Sequence, residues 1–513
     1  MKANGVMILD FGSQYTKLIA RRVREESIYS EIFPHSVKVD DIMKIKPAAL
    51  ILSGGPSSVF SDNALKIDPE ILKQNIPILG ICYGLQLLAY TYNGKVEEKK
   101  SGEYGLSKLS IDNSHKIFSN VPNEINTWMS HMDQVTKVPP NWNIIGKSSN
   151  DIIAAVSNED SSRVGLQFHP EVIHTQYGKE ILRNFLIKIA KCPTHWNASN
   201  YVADQINKIR EEVGKDKLII GVSGGVDSTV AAALIHKAIG DQSKAVLIDH
   251  GLMRKNESKI CVAALKEGLG VNIHSYNESS IFLSKLKNKE DPEQKRKIIG
   301  NQFIKSFEKI SKKFGDIKYL AQGTLYPDVI ESGFGVGGKS HTIKSHHNVG
   351  GLPEKMNFKL IEPLRDLFKD EVRKVGEELG LPSNLVQRHP FPGPGLGVRI
   401  IGKITKERVN ILQEADQIFI DLLHEDGLYH DIWQAFAVLI PIKTVGVMGD
   451  QRTYENLLAL RAVSSTDGMT ADWFKIPDDT LSKISSKIVN SVKGINRVVY
   501  DITSKPPGTI EWE

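Results

Sequence analysis

Cysteine is scarce in this chain: three occur in 513 residues, Cys82, Cys192 and Cys261, and no two stand in a Cys-x-x-Cys spacing. That scarcity argues against a disulfide framework and against a cysteine-built zinc site, and it suits a reducing compartment. Long apolar runs are missing as well. Stretches such as Ala231–Ile235 and Ala435–Ile442 fall far short of the roughly 20 residues that a membrane helix needs. The first residues, Met1–Asp10, read as entering a strand almost at once, which leaves no room for a secretory leader and gives a cytoplasmic protein as the expectation. An excess of one charge is also lacking, since 65 lysines and arginines stand against 60 acids for a net charge of +5. Even in the most basic run, Lys285, Lys287, Lys289, Lys295, Arg296 and Lys297 alternate with acids. That run reads as a solvated helix face, so neither nucleic acid nor membrane is an expected partner. Internal repeats and low-complexity tracts are absent.

What is present has the composition of an ordinary globular protein, 41% hydrophobic and 24% charged. Its length is too great for one core and predicts about three domains. Strand and helix patterns alternate from Val6 onward, which predicts parallel sheets with helices on both faces. An amphipathic helix near residues 179–191 closes the first block. The segment Cys192-Pro193-Thr194-His195-Trp196-Asn197 reads as a boundary, and a helix over about 198–213 opens the second block. The run Arg388-His389-Pro390-Phe391-Pro392-Gly393-Pro394-Gly395-Leu396 can be neither helix nor central strand, because its prolines lack donors and fix φ. It reads as a rigid hinge into a third block. The expected architecture is therefore α/β: two doubly wound parallel-sheet domains, residues 1–195 and 196–388, followed by a smaller α+β C-terminal domain, residues 389–513.

Chemistry is concentrated at two strand ends. The apolar run from Leu218 stops at Ser223-Gly224-Gly225-Val226-Asp227-Ser228-Thr229 and passes straight into an alanine-rich helix. Gly224 and Gly225 permit backbone angles closed to other residues, so successive N–H groups can form an anion nest at the positive end of that helix. Ser223, Ser228 and Thr229 add hydroxyl donors. The lysine of the Walker pattern is missing, which weighs against a kinase or GTPase. Asp227 would repel phosphate unless a divalent cation stood between them, so Mg2+ is the expected metal, with Asp227 as its ligand. The competing reading is a plain strand-to-helix turn capped by Ser228. Such a turn needs neither adjacent glycines nor the aspartate. A second strand, Lys244–Asp249, ends in an acid suited to ribose hydroxyls.

The other strand end is Pro77-Ile78-Leu79-Gly80-Ile81-Cys82-Tyr83-Gly84, the thiol counterpart of a nucleophile elbow. A helix N-terminus favours thiolate, the attacking species. Farther on, the apolar strand around Val164–Phe168 ends in His169-Pro170-Glu171, a base with a carboxylate to orient it. Gly54 and Gly55, after the strand Ala49–Leu52, and Tyr83, after the nucleophile, offer backbone N–H groups to an oxyanion. Taken singly, Cys82 is a small buried hydrophobe and His-Pro-Glu a turn. Together, each at the C-terminal end of a separate predicted strand, they read as one site.

The Ser-Gly-Gly-Val-Asp-Ser loop resembles that of the N-type ATP pyrophosphatases, and Cys82, His169 and Glu171 match the triad of the class I glutamine amidotransferases. The order of these modules, the Arg-His-Pro-Phe-Pro-Gly-Pro-Gly-Leu hinge and the tail Lys-Pro-Pro-Gly-Thr-Ile-Glu-Trp-Glu together resemble the glutamine-hydrolysing GMP synthases over essentially the whole chain. The resemblance implies release of ammonia from glutamine through a thioester, adenylation by ATP of xanthosine 5'-phosphate (XMP), and its amination to GMP with AMP and pyrophosphate as products. It further implies a homodimer formed through the third block, which helps to bind XMP. Lys505 and Glu511 match tail positions that contact XMP in that family, with Ile510 and Arg388 further XMP candidates. Lys344, on a glycine-rich segment that reads as a lid, and Lys369 and Asp370, near the adenylation centre, are implied in phosphate and metal handling. Two rivals remain: an adenylating tRNA-modifying ligase that kept a glutaminase, and a non-catalytic glutamine or nucleotide sensor.

Overall fold

The computed structural model describes residues 4–333, 358–448, 451–465 and 470–513. Lys344 and most of the glycine-rich segment lie outside them. The described residues form two compact units, 4–200 and 201–513, except that 330–333 group with the first. The helix Ala198–Val213 falls where its pattern predicts.

The first unit is built on a nine-stranded sheet. Its strands are β1 (Val6–Asp10), β2 (Ser30–Pro34), β3 (Ala49–Leu52), β4 (Ile78–Ile81), β5 (Lys95–Ile111), β6 (Glu124–Lys137), β7 (Trp142–Ser148), β8 (Ile153–Asn158) and β9 (Arg163–Leu166), in the spatial order β2-β1-β3-β4-β9-β8-β7-β5-β6. Strands β2, β1, β3, β4 and β9 are parallel. β3, β4 and β9 are buried at every residue, as expected of strands covered on both faces. The remaining four strands run antiparallel, so the doubly wound expectation holds for one half of the sheet only. Strands of 17 and 14 residues, β5 and β6, are joined with no crossover helix between them and pair as a long hairpin. The chain order reverses direction between β1 and β3, the switch point where open α/β sheets leave a crevice.

The second unit opens with a wholly parallel sheet of β10 (Leu218–Val222), β11 (Ser243–Asp249), β12 (Ile273–Asn277), β13 (Tyr319–Ala321) and β14 (Lys359–Ile361), ordered β12-β11-β10-β13-β14. Its switch point falls beside β10, the strand that feeds the glycine loop. The Pro/Gly hinge is irregular through its prolines, as its composition predicts, but its end departs from that expectation by entering a short 3-10 helix, Gly395–Val398, just after the last proline. Gly395 sits at φ +62° with its Cα against Leu252, whose carbonyl would lie 2.2 Å from an added Cβ, and Leu396 donates to that same carbonyl at 2.7 Å. Beyond it, β15 (Gln434–Met448), β16 (Gln451–Ser464), β17 (Asp472–Trp473) and β18 (Ile495–Tyr500) form a mixed sheet packed against the helices Lys406–Glu425 and Asp478–Ser491. One apolar core runs from Ile219 and Val246 of the first sheet through Leu396 and Ile400 of the hinge to Phe419, Leu458 and Ile484.

One expectation is corrected here. Lys295 does not belong to a solvated face, because it is fully buried in the helix Pro292–Ser311. Its ammonium donates to the Ile400 carbonyl at 2.8 Å and is paired with the Glu513 carboxylate. Alternation of charges along the chain could not show that one lysine of the run turns inward to anchor the tail.

Candidate active site

Cys82 joins β4 to the helix Tyr83–Thr91 at φ 53° and ψ −105°, a strained conformation for a side-chain-bearing residue. Its neighbours make the turn possible. A Cβ on Gly84 would lie 2.4 Å from the Leu52 carbonyl oxygen, and one on Gly80 would lie 2.5 Å from the Gly84 backbone. Only glycine lets the helix settle this closely on β3 and β4. The strained turn is anchored by the Cys82 amide, which donates to the Leu166 carbonyl at 2.7 Å.

His169 follows β9 after Gln167 and Phe168. Its Nδ1 lies 2.7 Å from Glu171 Oε1, and both side chains are buried. Its carbonyl accepts from Thr175 Oγ1 at 2.6 Å and its amide donates to the Trp128 carbonyl at 3.1 Å, which fixes the backbone on both sides of the ring. Burial alone would strip this imidazole of its proton. The Glu171 carboxylate and the hydrogen bond to Cys82 outweigh burial and push its pKa up to about 10. His169 is thus held as an imidazolium facing the Cys82 sulfur, the pairing that a thiolate nucleophile needs.

The two residues line one cavity of about 610 Å³ with Gly12, Ser13, Tyr15, Gly55, Gln86, Ser130 and His131. A Cβ on Gly54 would come within 3.3 Å of His169 Cε1 and 3.6 Å of Cys82 Cβ, so the Gly54-Gly55 backbone runs beside the nucleophile. The Tyr83 ring faces away, its hydroxyl donating to the Leu65 carbonyl at 2.7 Å while burial raises its pKa to about 12. Only the backbone of Tyr83 is left to serve an oxyanion. Sequence reasoning missed Gln86, one turn after Cys82, whose amide nitrogen donates to the Asp133 carbonyl at 2.8 Å and ties the elbow helix to the cavity wall. Its i, i+4 spacing from the nucleophile was the available signal. His131 and Glu103, a buried pair 3.6 Å apart, were also missed.

In the second unit, Gly224 adopts φ +79° and opens the loop into the helix Val226–Ile239. The Ser228 hydroxyl accepts from the Ser223 amide at 3.1 Å, and the Thr229 hydroxyl donates to the Gly225 carbonyl at 2.8 Å, which curls the backbone. Asp227 Oδ2 meets Lys369 Nζ at 2.7 Å, while Oδ1 is buried with no hydrogen-bond partner among the described residues. An orphaned buried carboxylate oxygen in the first turn of a helix suits a divalent cation. Arg388 pairs with Glu257 at 3.0 Å, and a Cβ on Gly224 would lie 3.7 Å from Glu257 Cγ. That places Arg388 on the side of the glycine loop. Asp249 is engaged by its own loop, accepting from the Gly251 amide and the Ser258 hydroxyl, both at 2.9 Å.

The tail residues lie elsewhere in this unit. Glu511 receives a two-pronged contact from the fully buried Arg399, at 3.0 and 2.8 Å, and a third bond from Gln434 at 2.7 Å. It also lines a cavity of about 470 Å³ with Tyr500, Asp501, Thr503, Thr509 and Trp512. Ile510 is buried against Phe436 and Val438, and the Lys505 backbone pairs with Ala471.

Models of three families match the chain: glutamine amidotransferase class-I over residues 7–189, NAD synthase over 198–306, and the GMP synthase C terminal domain over 421–512. GMP synthase [glutamine-hydrolyzing] of Thermosipho melanesiensis is 54% identical over 512 residues, covering 99% of each chain. The protein of the same description from Clostridium tetani is 52% identical over 513 residues and 100% of both. Among solved structures, a glutamine amidotransferase from Thermotoga maritima aligns with 41% of this chain and 85% of its own at 21% identity, with a TM-score of 0.29. On identity sustained over its full length, the chain belongs to the glutamine-hydrolysing GMP synthase family.

Proposed function

We propose a residue-by-residue division of labour for the reaction of this family, in which glutamine and ATP drive the amination of XMP to GMP. Cys82 attacks the glutamine amide while the oxyanion that develops is met by backbone N–H groups of Gly54, Gly55 and Tyr83. His169, held charged by Glu171, protonates the departing ammonia and, once neutral, takes a proton from the water that hydrolyses the thioester. Ammonia leaves as the free base, because ammonium has no lone pair with which to attack.

In the second unit the 223–229 loop holds the β and γ phosphates of ATP, so that an XMP oxygen attacks the α phosphate and pyrophosphate departs. Mg2+ held by Asp227 would supply charge neutralisation on the phosphates. Catalysis there is positioning and electrostatics, from the loop amides, the helix N-terminus and Lys369. Arg388 is proposed to act on the same side, and Asp370 beside Lys369. Glu511, with Arg399 behind it, and Lys505 are proposed to serve XMP around the second cavity, with Ile510 packing the tail in place.

Residues 1–195, 196–388 and 389–513 are proposed as the three domains. A homodimer is proposed through the β15–β16 hairpin, whose Ile442, Val445, Val447 and Tyr454 are apolar and exposed. A cytoplasmic setting suits three free cysteines. Among the described residues no helix is long and apolar enough to cross a membrane.

Family membership sets aside the sulfur-transferring ligase and the sensor. The former lacks its chemistry here, since Cys261, the thiol nearest the loop, is fully buried against Thr229 Oγ1 at 3.8 Å. The observation that carries the reading is Cys82 on a strained turn facing a His169 kept charged by Glu171. Replacing Cys82 with Ala is expected to abolish glutamine-driven GMP synthesis and to leave the ammonium-driven rate near that of the wild type. Equal loss of both would contradict the division.

A further inference from the structure

Lys369 occupies an unusual place. It is the first residue of the helix Lys369–Glu378, where a cation opposes the helix dipole that Asp370 and Glu371 complement. Glu371 accepts from the Phe368 amide at 2.8 Å and caps the helix without any help from the lysine. What holds Lys369 there is Asp227, itself in the first turn of the helix Val226–Ile239. The two helices pack directly: a Cβ on Gly376 would come within 2.9 Å of Val230 Cγ2. Two helix N-termini therefore meet beside the glycine loop, a field that calls for anions.

The pair is incomplete as a structural salt bridge. Lys369 is 42% exposed and Asp227 16%, and the ammonium satisfies Oδ2 alone, while Oδ1 stays buried without a partner among the described residues. The unmet buried acceptor costs about 1–3 kcal/mol, which offsets much of what the bridge adds to stability. A single flexible lysine stem, half in solvent, can leave Asp227 at little cost.

We propose that Lys369 is a place-holder for the divalent cation: in the nucleotide-free protein its ammonium neutralises Asp227, and it yields that carboxylate when cation and nucleotide arrive. The exchange keeps Asp227 from repelling incoming phosphate and frees Lys369 to face the phosphates instead. It rests on the reading of Asp227 as the metal ligand and gives Lys369 a role in the empty enzyme that phosphate contact alone does not.

The test is manganese(II) binding to the full-length, nucleotide-free protein, followed by electron paramagnetic resonance of the free ion. Lys369→Met removes the competitor and is expected to tighten the dissociation constant at least fivefold. Lys374→Met, farther along the same helix, is expected to change it less than twofold. The gain must vanish in Asp227→Asn/Lys369→Met. An unchanged constant in Lys369→Met, an equal gain in Lys374→Met, or a gain that survives in the double variant each overturns the proposal. Asp227→Asn alone separates the two readings. If it leaves manganese binding intact in the presence of α,β-methylene-ATP, the metal assignment itself fails. If it abolishes that binding while Lys369→Met shows no gain, only the place-holder role fails.

Discussion

The 2.7 Å contact between His169 Nδ1 and Glu171 Oε1 makes His169 a cation across the neutral range. Its pKa rises from the ordinary 6.5 to about 10, so the stability that the charged ring contributes is fully present below pH 6.5 and is lost as pH climbs through 10. In Glu171→Gln the main force raising that pKa is gone. The difference in melting temperature between wild type and variant is expected to be largest at acid pH, to shrink above pH 6.5 and to close near pH 10. The alkaline limb of glutamine hydrolysis should move to lower pH in the variant. A limb at the same pH in both proteins would show that Glu171 does not set the charge of His169.

Gly84→Ala places a methyl group 2.4 Å from the Leu52 carbonyl oxygen, a backbone atom that cannot swing aside. The elbow helix must shift outward, at a cost of about 1–3 kcal/mol. Thermal unfolding followed by circular dichroism should show the first unit melting earlier. At a temperature where it stays folded, glutamine hydrolysis should fall at least tenfold while ammonium-driven synthesis persists. Full glutaminase activity in a stable variant would mean that the close approach is not needed to aim Cys82.

Glu511→Ala leaves Arg399, which is wholly buried, without its two-pronged partner. Removing one member of a buried pair costs about 3–5 kcal/mol. Urea unfolding should show that loss in the second unit, and the KM for XMP should rise with little change in glutamine hydrolysis measured by itself. An unaltered urea midpoint would mean that the Phe391 and Phe436 rings around Arg399 suffice to hold its charge.

Val445 and Tyr454 are cross-strand partners on the β15–β16 hairpin, and both are more than half exposed, at 53% and 56%. Charges at both positions, Val445→Glu with Tyr454→Glu, should turn a dimer into a monomer in analytical ultracentrifugation without unfolding it. A wild type that sediments as a monomer, or a dimer that survives both charges, would count against the hairpin as the interface.

The sites were legible where chemistry sits directly after an apolar strand. Leu218–Val222 before the glycine loop, Ile78–Ile81 before Cys82 and the strand before His169 each announce a buried strand end by composition alone, and the switch-point rule says what such ends are for. The long β5–β6 hairpin was not legible, because its strands carry charged residues on both faces and show no clean alternation. Contacts across long stretches of chain were invisible too. Arg399 and Glu511 are 112 residues apart and Lys295 and Glu513 are 218 apart, and nothing local in an arginine after Gly397-Val398 or a lysine in a charged helix says that it is buried. Such pairing is decided by how the hinge folds back on the core.

The most direct measurement follows the phosphorus of ATP. With XMP, Mg2+ and glutamine, 31P NMR should show one AMP and one pyrophosphate for each GMP, and XMP labelled with 18O at C2 should deliver the label to the AMP phosphate. The same products should form in Cys82→Ala supplied with ammonium, and none in Asp227→Ala. ADP with orthophosphate, or AMP free of the label, would contradict a 223–229 loop that grips the outer phosphates while the innermost is transferred.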